Sequence, residues 1–228
     1  MKIVVFAPHP DDEIFGCGGS ILKWMDEGHD LHLVYVTDNR ALIRWGIEEK
    51  QLLYEEAKEY VNLSEEEIAK IALKEASDVS SAFGFKKSNV YYYRIHDQNV
   101  MNKLDLGTNS SKEIIKDSER ILLPSDNNPH PDHQGTHIMV KKAAKELNLI
   151  NTEFYVYVVH TSLKLPKEKQ IRVKVDKYRY RVYELMKGYK TQLCLKDTRM
   201  GWEWVLKKRR YERFGIFNLQ DMSKFENF

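Results

Sequence analysis

The chain is poor in cysteine and has no long apolar run. Its 228 residues include two cysteines, Cys17 and Cys194, which lie far apart and belong to no C-x-x-C pair. This usage argues against a disulfide framework and favours a reducing compartment. The apolar segment at the start is about six residues long, too short for a signal peptide, and no segment reaches the roughly 18 residues that a membrane span needs. We therefore expect a soluble, unprocessed protein of the cytoplasm.

A dinucleotide-binding fingerprint is also missing. Gly16, Gly18 and Gly19 follow the first predicted strand, but they do not have the G-x-G-x-x-G register. Charged and metal-binding side chains fill the turn in which a pyrophosphate needs bare backbone. We therefore rank nucleotide binding well below metal binding for this turn.

The chain lacks a strong net charge, yet its charges are unevenly distributed. The net charge is +2, with 18 basic and 26 acidic side chains in residues 1–163 and 18 basic and 8 acidic side chains in residues 164–228. Such asymmetry can indicate an acidic partner or nucleic acid. A basic face that packs on the acidic part of the same or a neighbouring subunit is the plainer explanation, so nucleic acid is not the expected partner.

Short apolar segments alternate with amphipathic segments along the chain. They predict strands at 3–6, 31–36, 90–93, 121–123, 152–159 and 170–175, and helices at 20–27, 48–61, 64–83, 112–119, 134–147 and 176–189. Short connections and right-handed crossovers turn this alternation into an α/β fold, a doubly wound, mostly parallel sheet with helices on both faces. We expect one domain over residues 1–228, completed by the basic portion at 164–228.

Two short polar motifs each follow a predicted strand. The first is Pro8-His9-Pro10-Asp11-Asp12-Glu13, and the second is His130-Pro131-Asp132-His133. Residues three apart lie on one face of a helical turn, so the polar groups of each motif can point to one place. In the common strand orders of doubly wound sheets, the loops after strands one and four meet at the switch point where ligands bind. We therefore expect both motifs to form a single site.

The residue types in the two motifs are those of a catalytic metal site. The motifs contain no activated serine or cysteine, whereas two histidines and one carboxylate are a known zinc set that leaves a coordination position for water. His9, Asp12 and His133 would form this set and hold a single Zn²⁺. Zinc lowers the pKa of bound water toward ~7, which predicts a metal-activated water as the nucleophile.

The remaining polar groups of the motifs can move protons or position their neighbours. Asp11 is the expected general base, and His130, held protonated by Asp132, is the expected acid for a leaving amine. Glu13 faces away from the metal in this interpretation, and we expect it to hydrogen-bond a ligand or the backbone.

The two motifs also allow roles that differ from hydrolysis at a single zinc ion. The acids of the first motif can cap the start of a helix, although this leaves the second motif unexplained. A metal- or ligand-binding module without catalysis, or a nucleic-acid binder with a basic tail, would bind without hydrolysis. A metal-dependent phosphoesterase is a further alternative, against which the scarcity of ligands for a second metal argues.

Together, the two motifs resemble those of the zinc-dependent de-N-acetylases of the LmbE/PIG-L family. Weaker similarities extend across most of the chain, at Thr37-Asp38, Phe83-Gly84, Asp97, Thr191-Gln192 and Tyr211-Glu212-Arg213-Phe214. The resemblance implies a Rossmann-like fold and removal of acetyl groups from N-acetylglucosamine units of varied conjugates, with the motif residues in the roles given above. The expected substrate is therefore a small-molecule N-acetylated amino sugar or sugar conjugate. Members are often trimers or hexamers, so a homo-oligomer is implied as well.

One departure from the family pattern bears on substrate binding. Many members carry a substrate-binding arginine on the helix that ends near Phe83-Gly84, and Ala72 stands at that place here. The predicted acidic helix at 48–61 also enlarges the region before it. We therefore expect the pocket wall to differ from that of relatives acting on small thiol-sugar conjugates.

Residues near the carboxyl ends of strands two and three are candidates for substrate binding. Arg40 or Arg44 is expected to replace the missing charge, and Asp38 and Asp97 are further candidates. Histidines outside the motifs are expected to be packed or surface residues: His29, His32, His96, His137 and His160.

Overall fold

The computed structural model describes residues 1–159 and 161–221. The strands in this part of the chain are β1 (Lys2–Ala7), β2 (Asp30–Thr37), β3 (Val90–Ile95), β4 (Arg120–Pro124), β5 (Glu153–Tyr157), β6 (Gln170–Lys174) and β7 (Tyr211–Phe217). The helices are α1 (Asp12–Asp26), α2 (Leu42–Glu48), α3 (Tyr54–Ala57), α4 (Glu65–Phe83), α5 (Leu104–Ile115), α6 (Pro131–Glu146), α7 (Arg179–Met186) and α8 (Lys196–Met200). None of these helices is long and apolar enough to cross a membrane.

The strands form one mixed sheet, and its order confirms the predicted fold class. The order is β3-β2-β1-β4-β5-β7-β6, in which β1 to β5 are parallel and β7 is antiparallel to both of its neighbours. The chain winds outward from β1 in both directions, so the switch point lies between β1 and β4. The two polar motifs follow these two strands, as predicted.

β1 is buried on both faces, which explains its continuous apolar sequence. Ile3 and Val5 belong to the core that α1, α4 and α7 cover, whereas Val4 and Phe6 belong to the core that α5 and α6 cover. A parallel strand between two helix layers has this pattern. The sheet therefore provides a rigid base on which the loop after β1 is held.

α1 begins at Asp12, well before the predicted helix at 20–27. The sequence pattern does not predict the first part of this helix, because that part contains several glycines, which have low helix propensity. A Cβ atom on Gly16 would lie 2.2 Å from Cδ2 of Tyr157, and one on Gly19 would lie 2.6 Å from Cβ of Val175. These glycines thus allow α1 to approach its neighbours closely, which places the first motif directly over the sheet.

The predicted helix at 48–61 is wrong. α2 ends at Glu48, α3 spans only Tyr54–Ala57, and Leu52 between them forms a β-bridge with Leu195. Lys50 has a φ of 56°, a left-handed conformation that ends the helical path. The apolar side chains of this segment form a separate core cluster with Ile68 and Leu195, so tertiary packing overrides the local helical pattern.

Candidate metal and active site

The first motif forms the turn between β1 and α1. Asp11 has a φ of 110°, and α1 begins at the next residue, Asp12. A positive φ is strained for a residue with a side chain and persists only when its surroundings hold it. The buried carboxylate of Glu13 accepts the backbone N–H of Asp11 at 3.1 Å. Glu13 thus helps to hold the turn, as expected of a residue that bonds the backbone.

Three candidate ligand atoms converge at this turn. Asp12 Oδ2 lies 3.2 Å from His9 Nδ1 and 3.3 Å from His133 Nε2, and the three ligand atoms lie within 4.8 Å of one another. The Asp12 and His133 side chains are buried, and the His9 side chain is 16% exposed. The structure thus brings together the three predicted metal ligands, and their donor set of two imidazoles and one carboxylate fits zinc.

The second motif begins α6. Pro131 occupies the first turn of the helix, and His130 is its N-cap residue. His130 Nδ1 accepts the backbone N–H of Asp132 at 3.2 Å, so a neutral His130 carries its proton on Nε2. The His130 side chain is 34% exposed, more than those of His9 and His133. Its free edge therefore faces the cleft rather than the core.

Asp132 does not hold His130 in the predicted way. Its carboxylate accepts the backbone N–H groups of Gln98 and Val100, at 2.5 and 3.1 Å. It lies 3.1 Å from His9 Nε2 but 3.9 Å from His130 Nδ1. Burial and the charge of His9 lower the pKa of His130 to about 4. The geometry contradicts a His130 kept protonated by Asp132, because Asp132 is directed at His9 instead.

The adjacent carboxyls of Asp11 and Asp12 have pKa values shifted in opposite directions. Burial opposes ionisation of Asp12, but the charge of His133 and the hydrogen bond from His9 hold the pKa of Asp12 well below its usual value. Burial and the charges of Asp12 and Glu13 raise the pKa of Asp11 well above its usual value. Two carboxyls whose pKa values are shifted apart suit different tasks, which here are metal binding for Asp12 and proton transfer for Asp11.

Glu13 points inward to a buried pair of tyrosines. Its Oε1 accepts the O–H of Tyr189 at 2.5 Å and that of Tyr35 at 3.2 Å, and the two hydroxyls lie 2.8 Å apart. Burial raises the pKa of Glu13 to about 7. Neither tyrosine is evident from the sequence motifs, because they reach the first motif from β2 and from the segment after α7.

The ligand atoms and Asp11 face a cleft with a volume of about 190 Å³. Asp97, a predicted substrate-binding residue, lies on its wall, and its carboxylate accepts the backbone N–H of Ala41 at 3.0 Å. Gln192, noted in the family resemblance, also lines the cleft and donates to the Pro10 carbonyl at 2.9 Å. Several wall residues were not singled out from the sequence: Phe15, Leu42, Trp45, Gln98, Asn128, Val159 and Thr198.

The region after β2 contributes to the pocket wall through α2 rather than through its arginines. Leu42 and Trp45 of α2 line the cleft. Arg40 Nη2 instead donates to the buried carboxylate of Asp38 at 2.5 Å, and Arg44 pairs with Glu65 on α4. The residues that the structure describes as lining the cleft do not include Asp38, Arg40 or Arg44. Nearby acids hold both guanidinium groups, and a role of these residues in substrate binding stays a prediction.

The histidines outside the motifs are packed or peripheral, as expected. His137 is fully buried, and its Nδ1–H donates to the Pro124 carbonyl at 2.7 Å. His29, His32 and His96 do not line the cleft as far as the described residues go. His160 lies outside the described residues.

The chain is similar in sequence to known proteins. A family model described as PIG-L, GlcNAc-PI de-N-acetylase, matches residues 4–144, which include both motifs. A glucosamine-6-phosphate deaminase-like protein of Bacteroides thetaiotaomicron is 31% identical over 42 residues, a match that covers 18% of this chain and 6% of that protein. The chain thus spans only a small part of the length of this relative.

The fold is similar to those of solved deacetylases. The N,N'-diacetylchitobiose deacetylase from Pyrococcus horikoshii has a TM-score of 0.73 and 20% identity, and the match covers 96% of this chain and 85% of that chain. The zinc-inhibited form of a teicoplanin deacetylase has a TM-score of 0.68 and 12% identity, with 96% and 98% covered. These identities establish likeness of fold only. The family model matches more than half of the chain, and the protein therefore belongs to the PIG-L family.

Proposed function

We propose that the protein is a zinc-dependent hydrolase that removes the acetyl group from the nitrogen of an N-acetylglucosamine-type sugar or conjugate. The observation that carries the proposal is the convergence of His9 Nδ1, Asp12 Oδ2 and His133 Nε2 at the wall of a cleft that Asp11 also lines. Membership of a family described as a de-N-acetylase supports the reaction. The similar structure named a diacetylchitobiose deacetylase supports an N-acetylated amino sugar as the substrate class.

His9, Asp12 and His133 would hold the metal. When bound, Zn²⁺ supplies Lewis acidity to the amide carbonyl and lowers the pKa of a water molecule toward ~7. If His9 binds the metal through Nδ1, its Nε2–H donates to Asp132, 3.1 Å away. This partner fixes the orientation of the imidazole ring and the nitrogen that is left for the metal.

Asp11 and His130 supply the proton chemistry. Asp11 takes the proton from the attacking water and returns it to the departing nitrogen, a task suited to a carboxyl whose pKa is raised. The amide C–N bond breaks, the nitrogen leaves as an amine, and the water oxygen remains in acetate. Neutral His130 donates its Nε2–H to the carbonyl oxygen as negative charge develops there. This role replaces that of the protonated acid expected from the sequence.

A second possible metal set does not favour a different reaction. His9, His130 and Asp132 also bring ligand atoms within 4.8 Å of one another, and a two-metal phosphoesterase would need such a pair of sites. This set shares His9 with the first, and its Asp132 already accepts two backbone N–H groups. We therefore rank phosphoester hydrolysis, and metal binding without catalysis, below de-N-acetylation.

Metal analysis combined with acetate release tests the proposal. The purified protein should hold about one zinc per chain by elemental analysis. It should release acetate from N-acetylglucosamine or N,N'-diacetylchitobiose, lose this activity with a chelator and regain it with zinc. Full activity of metal-free protein would contradict the zinc dependence. A zinc-loaded protein that releases no acetate from a panel of N-acetylated sugars, or that cleaves p-nitrophenyl phosphate instead, would contradict the reaction.

A further inference from the structure

The described part of the basic portion, residues 164–221, only partly packs on the acidic part of the chain. Lys177 lies 3.1 Å from Asp26, and Arg199 lies 3.5 Å from Glu56, so some of its charges are neutralised within the chain. Arg172 and Arg213 differ from these residues. Within residues 1–159 and 161–221, no carboxylate lies within 4.0 Å of either guanidinium group.

The sheet register places these two arginines side by side. Arg172 of β6 is directly opposite Arg213 of β7, and directly opposed residues of an antiparallel pair project from the same face. Like charges at such positions repel each other. The Arg172 guanidinium stacks over the Tyr211 ring at 4.4 Å, which orients the group while leaving its N–H edge available. An oxyanion between the two guanidinium groups would relieve their repulsion.

This pair lines a cavity with the chemistry of an anion site. We use the name anion cleft for the cavity of about 660 Å³ whose lining includes Lys167, Gln170, Arg172, Tyr211 and Arg213. Guanidinium groups bind carboxylate and phosphate oxygens through paired N–H donors, and a nearby lysine adds a point charge. Arg209 and Glu212 also line this cavity, and the Glu212 carboxylate already accepts the N–H groups of Gly19 and Ser20 and lies 3.9 Å from Arg209. Because the basic side chains of the lining outnumber this single, partnered carboxylate, the lining favours a carboxylate or phosphate group over a neutral one.

The anion cleft is connected to the candidate active site through shared walls. Between them lies a second cavity of about 1050 Å³, here called the connecting cavity, which Phe15, Val159, Thr161, Ser162 and Trp204 help to line. Phe15 and Val159 also line the active-site cleft, and Phe15, Thr161 and Ser162 also line the anion cleft. Phe15 follows the first motif by two residues and borders all three spaces. A single extended molecule can therefore reach from the metal ligands to Arg172 and Arg213.

The wall of the connecting cavity contains large exposed apolar side chains, next to the exposed polar residues Ser162 and Asp197. Met200, Trp204 and Val205 line it, and their exposed fractions are 58%, 62% and 49%. Exposed large apolar side chains next to a binding site are typical contact surfaces for a ligand. The middle part of a bound molecule would therefore contact apolar or ring surfaces before it reaches the arginines.

We propose that the anion cleft binds an acidic group, a phosphate ester or a carboxylate, at the far end of the substituent attached to the N-acetylated sugar. The sugar occupies the active-site cleft, the substituent runs past Phe15 and Trp204, and its acidic end binds Arg172 and Arg213. This inference rests on the proposed function for the reaction, but the anion site itself depends only on β6, β7 and the loops around them.

The test uses pairs of N-acetylglucosamine glycosides with alkyl spacers of increasing length. One member of each pair ends in phosphate or carboxylate and the other in a hydroxyl group. For the zinc-loaded wild type and the best spacer, kcat/KM should be about tenfold or more higher for the charged member, as expected of charge-assisted hydrogen bonds. Comparing phosphate with carboxylate identifies which acidic group the cleft prefers.

Substitutions at the arginine pair show whether the preference comes from the anion cleft. In Arg172→Gln/Arg213→Gln the ratio of the two kcat/KM values should fall to about one, and Arg172→Lys/Arg213→Lys should give an intermediate ratio. The control Lys70→Gln/Lys74→Gln removes the same charge from the exposed face of α4 and should keep the wild-type ratio. Because each ratio is measured within one preparation, a loss of folded enzyme cancels.

A binding experiment separates failure of this inference from failure of the proposed function. Octyl phosphate, which contains no sugar, should bind the wild type in isothermal titration calorimetry and bind the arginine-to-glutamine double variant about tenfold or more weakly. Arginine-dependent binding without acetate release from any glycoside would support the anion site and overturn the proposed function. Equal kcat/KM for charged and neutral glycosides, with no binding of octyl phosphate, would overturn the anion site and leave de-N-acetylation standing.

Discussion

At the scale of single residues, the candidate site depends on one strained backbone position. The φ of 110° at Asp11 turns the chain so that Asp11 and Asp12 both reach the site, and Glu13 accepts the Asp11 N–H while two tyrosines donate to Glu13. Strain of this kind costs on the order of 1–3 kcal/mol and requires such support. The acidic residues of the motif therefore have separate tasks that their common chemistry does not suggest.

We expect Asp11→Asn to retain the metal and lose activity. Asparagine keeps the shape of the side chain but cannot take a proton, so kcat should fall about 10²- to 10⁴-fold. Zinc content by elemental analysis should match that of the wild type. In His133→Ala, the matched ligand variant, both zinc and activity should be lost. Loss of zinc from Asp11→Asn to the same extent would exchange the roles of base and ligand.

Arg40 and Arg44 should affect stability rather than substrate binding. Asp38 is fully buried, so Arg40→Ala leaves its carboxylate without its main partner. Because the Arg40 side chain is about one quarter exposed, we expect a loss of roughly 1–3 kcal/mol in the free energy of unfolding rather than the larger cost of a fully buried pair. Arg44 belongs to a more exposed ion pair, so Arg44→Ala should change the free energy of unfolding by less than about 0.5 kcal/mol.

Urea unfolding and steady-state kinetics check these two variants. The KM for the best substrate should remain within about twofold of wild type for Arg44→Ala, as for a surface change outside the site. A tenfold rise in KM with unchanged stability would instead support the role in substrate binding that the sequence suggested for this arginine.

At the scale of elements, α1 and α6 are the helices that carry the motifs. α1 contains a break at Cys17, and the buried carboxylate of Glu212 on β7 accepts the N–H groups of Gly19 and Ser20, both at 2.8 Å. This side chain acts as a cap for the second half of the helix. α6 is tied to the sheet by His137, whose Nδ1–H donates to the Pro124 carbonyl at the end of β4. Each motif helix is therefore fixed by a polar contact with a neighbouring strand, made by a group other than the candidate metal ligands.

Burial of His137 should make the protein less stable in acid. Burial lowers the pKa of His137 to about 4, from about 6.5 in the unfolded chain. Below pH 6.5 the unfolded state binds more protons, so the stabilisation is complete above pH 6.5 and is lost as the pH falls toward 4. Its full magnitude is on the order of 3 kcal/mol.

Comparison with His137→Gln isolates this effect, because glutamine can donate to the same carbonyl without titrating. The free energy of unfolding is measured by urea unfolding at pH 8 and at about pH 4.5, with chelator present throughout. Between these two pH values it should fall by about 2 kcal/mol more for the wild type than for His137→Gln. Equal losses in the two proteins would show that His137 is not the group that titrates.

At the scale of the whole molecule, the site depends on distant parts of the chain. His9 and Asp132 are 123 residues apart, yet β1 and β4 are neighbours in the sheet and bring their side chains within 3.1 Å. Any ligand that binds both loops holds the two halves of the sheet together. Metal binding should therefore stabilise the folded state as a whole.

Chelation should lower the melting temperature of the zinc-loaded protein. A metal present at ~100 to ~1,000 times its Kd contributes about 3–4 kcal/mol, which corresponds to a Tm shift of roughly 5–15 °C for a chain of this size. Differential scanning calorimetry with and without EDTA measures the shift. The ligand variant His133→Ala should show no shift with EDTA. An unchanged Tm in wild type, with removal of zinc verified by elemental analysis, would contradict a metal that bridges the two loops.

The sequence by itself determined the strand cores and the candidate ligand residues. Continuous apolar runs such as 3–6 need two covered faces wherever they lie, and the alternation of these runs with helices leaves few possible topologies. Histidines and acids three residues apart follow strands one and four, and these residue types are able to bind a metal. The convergence of His9, Asp12 and His133 therefore followed from the local pattern and the strand order.

Only the tertiary structure decided how these groups are oriented and partnered. Asp132 is next to His130 in sequence but directed at His9, and Arg40 is near the site but held by Asp38, because hydrogen-bond geometry depends on elements that meet in space. The segment at 48–61 lost its predicted helix to packing against Leu195, and the opposed Arg172 and Arg213 appear only in the β6–β7 register. Long-range contacts of this kind depend on distances and angles between elements, which are not encoded in any single stretch of residues.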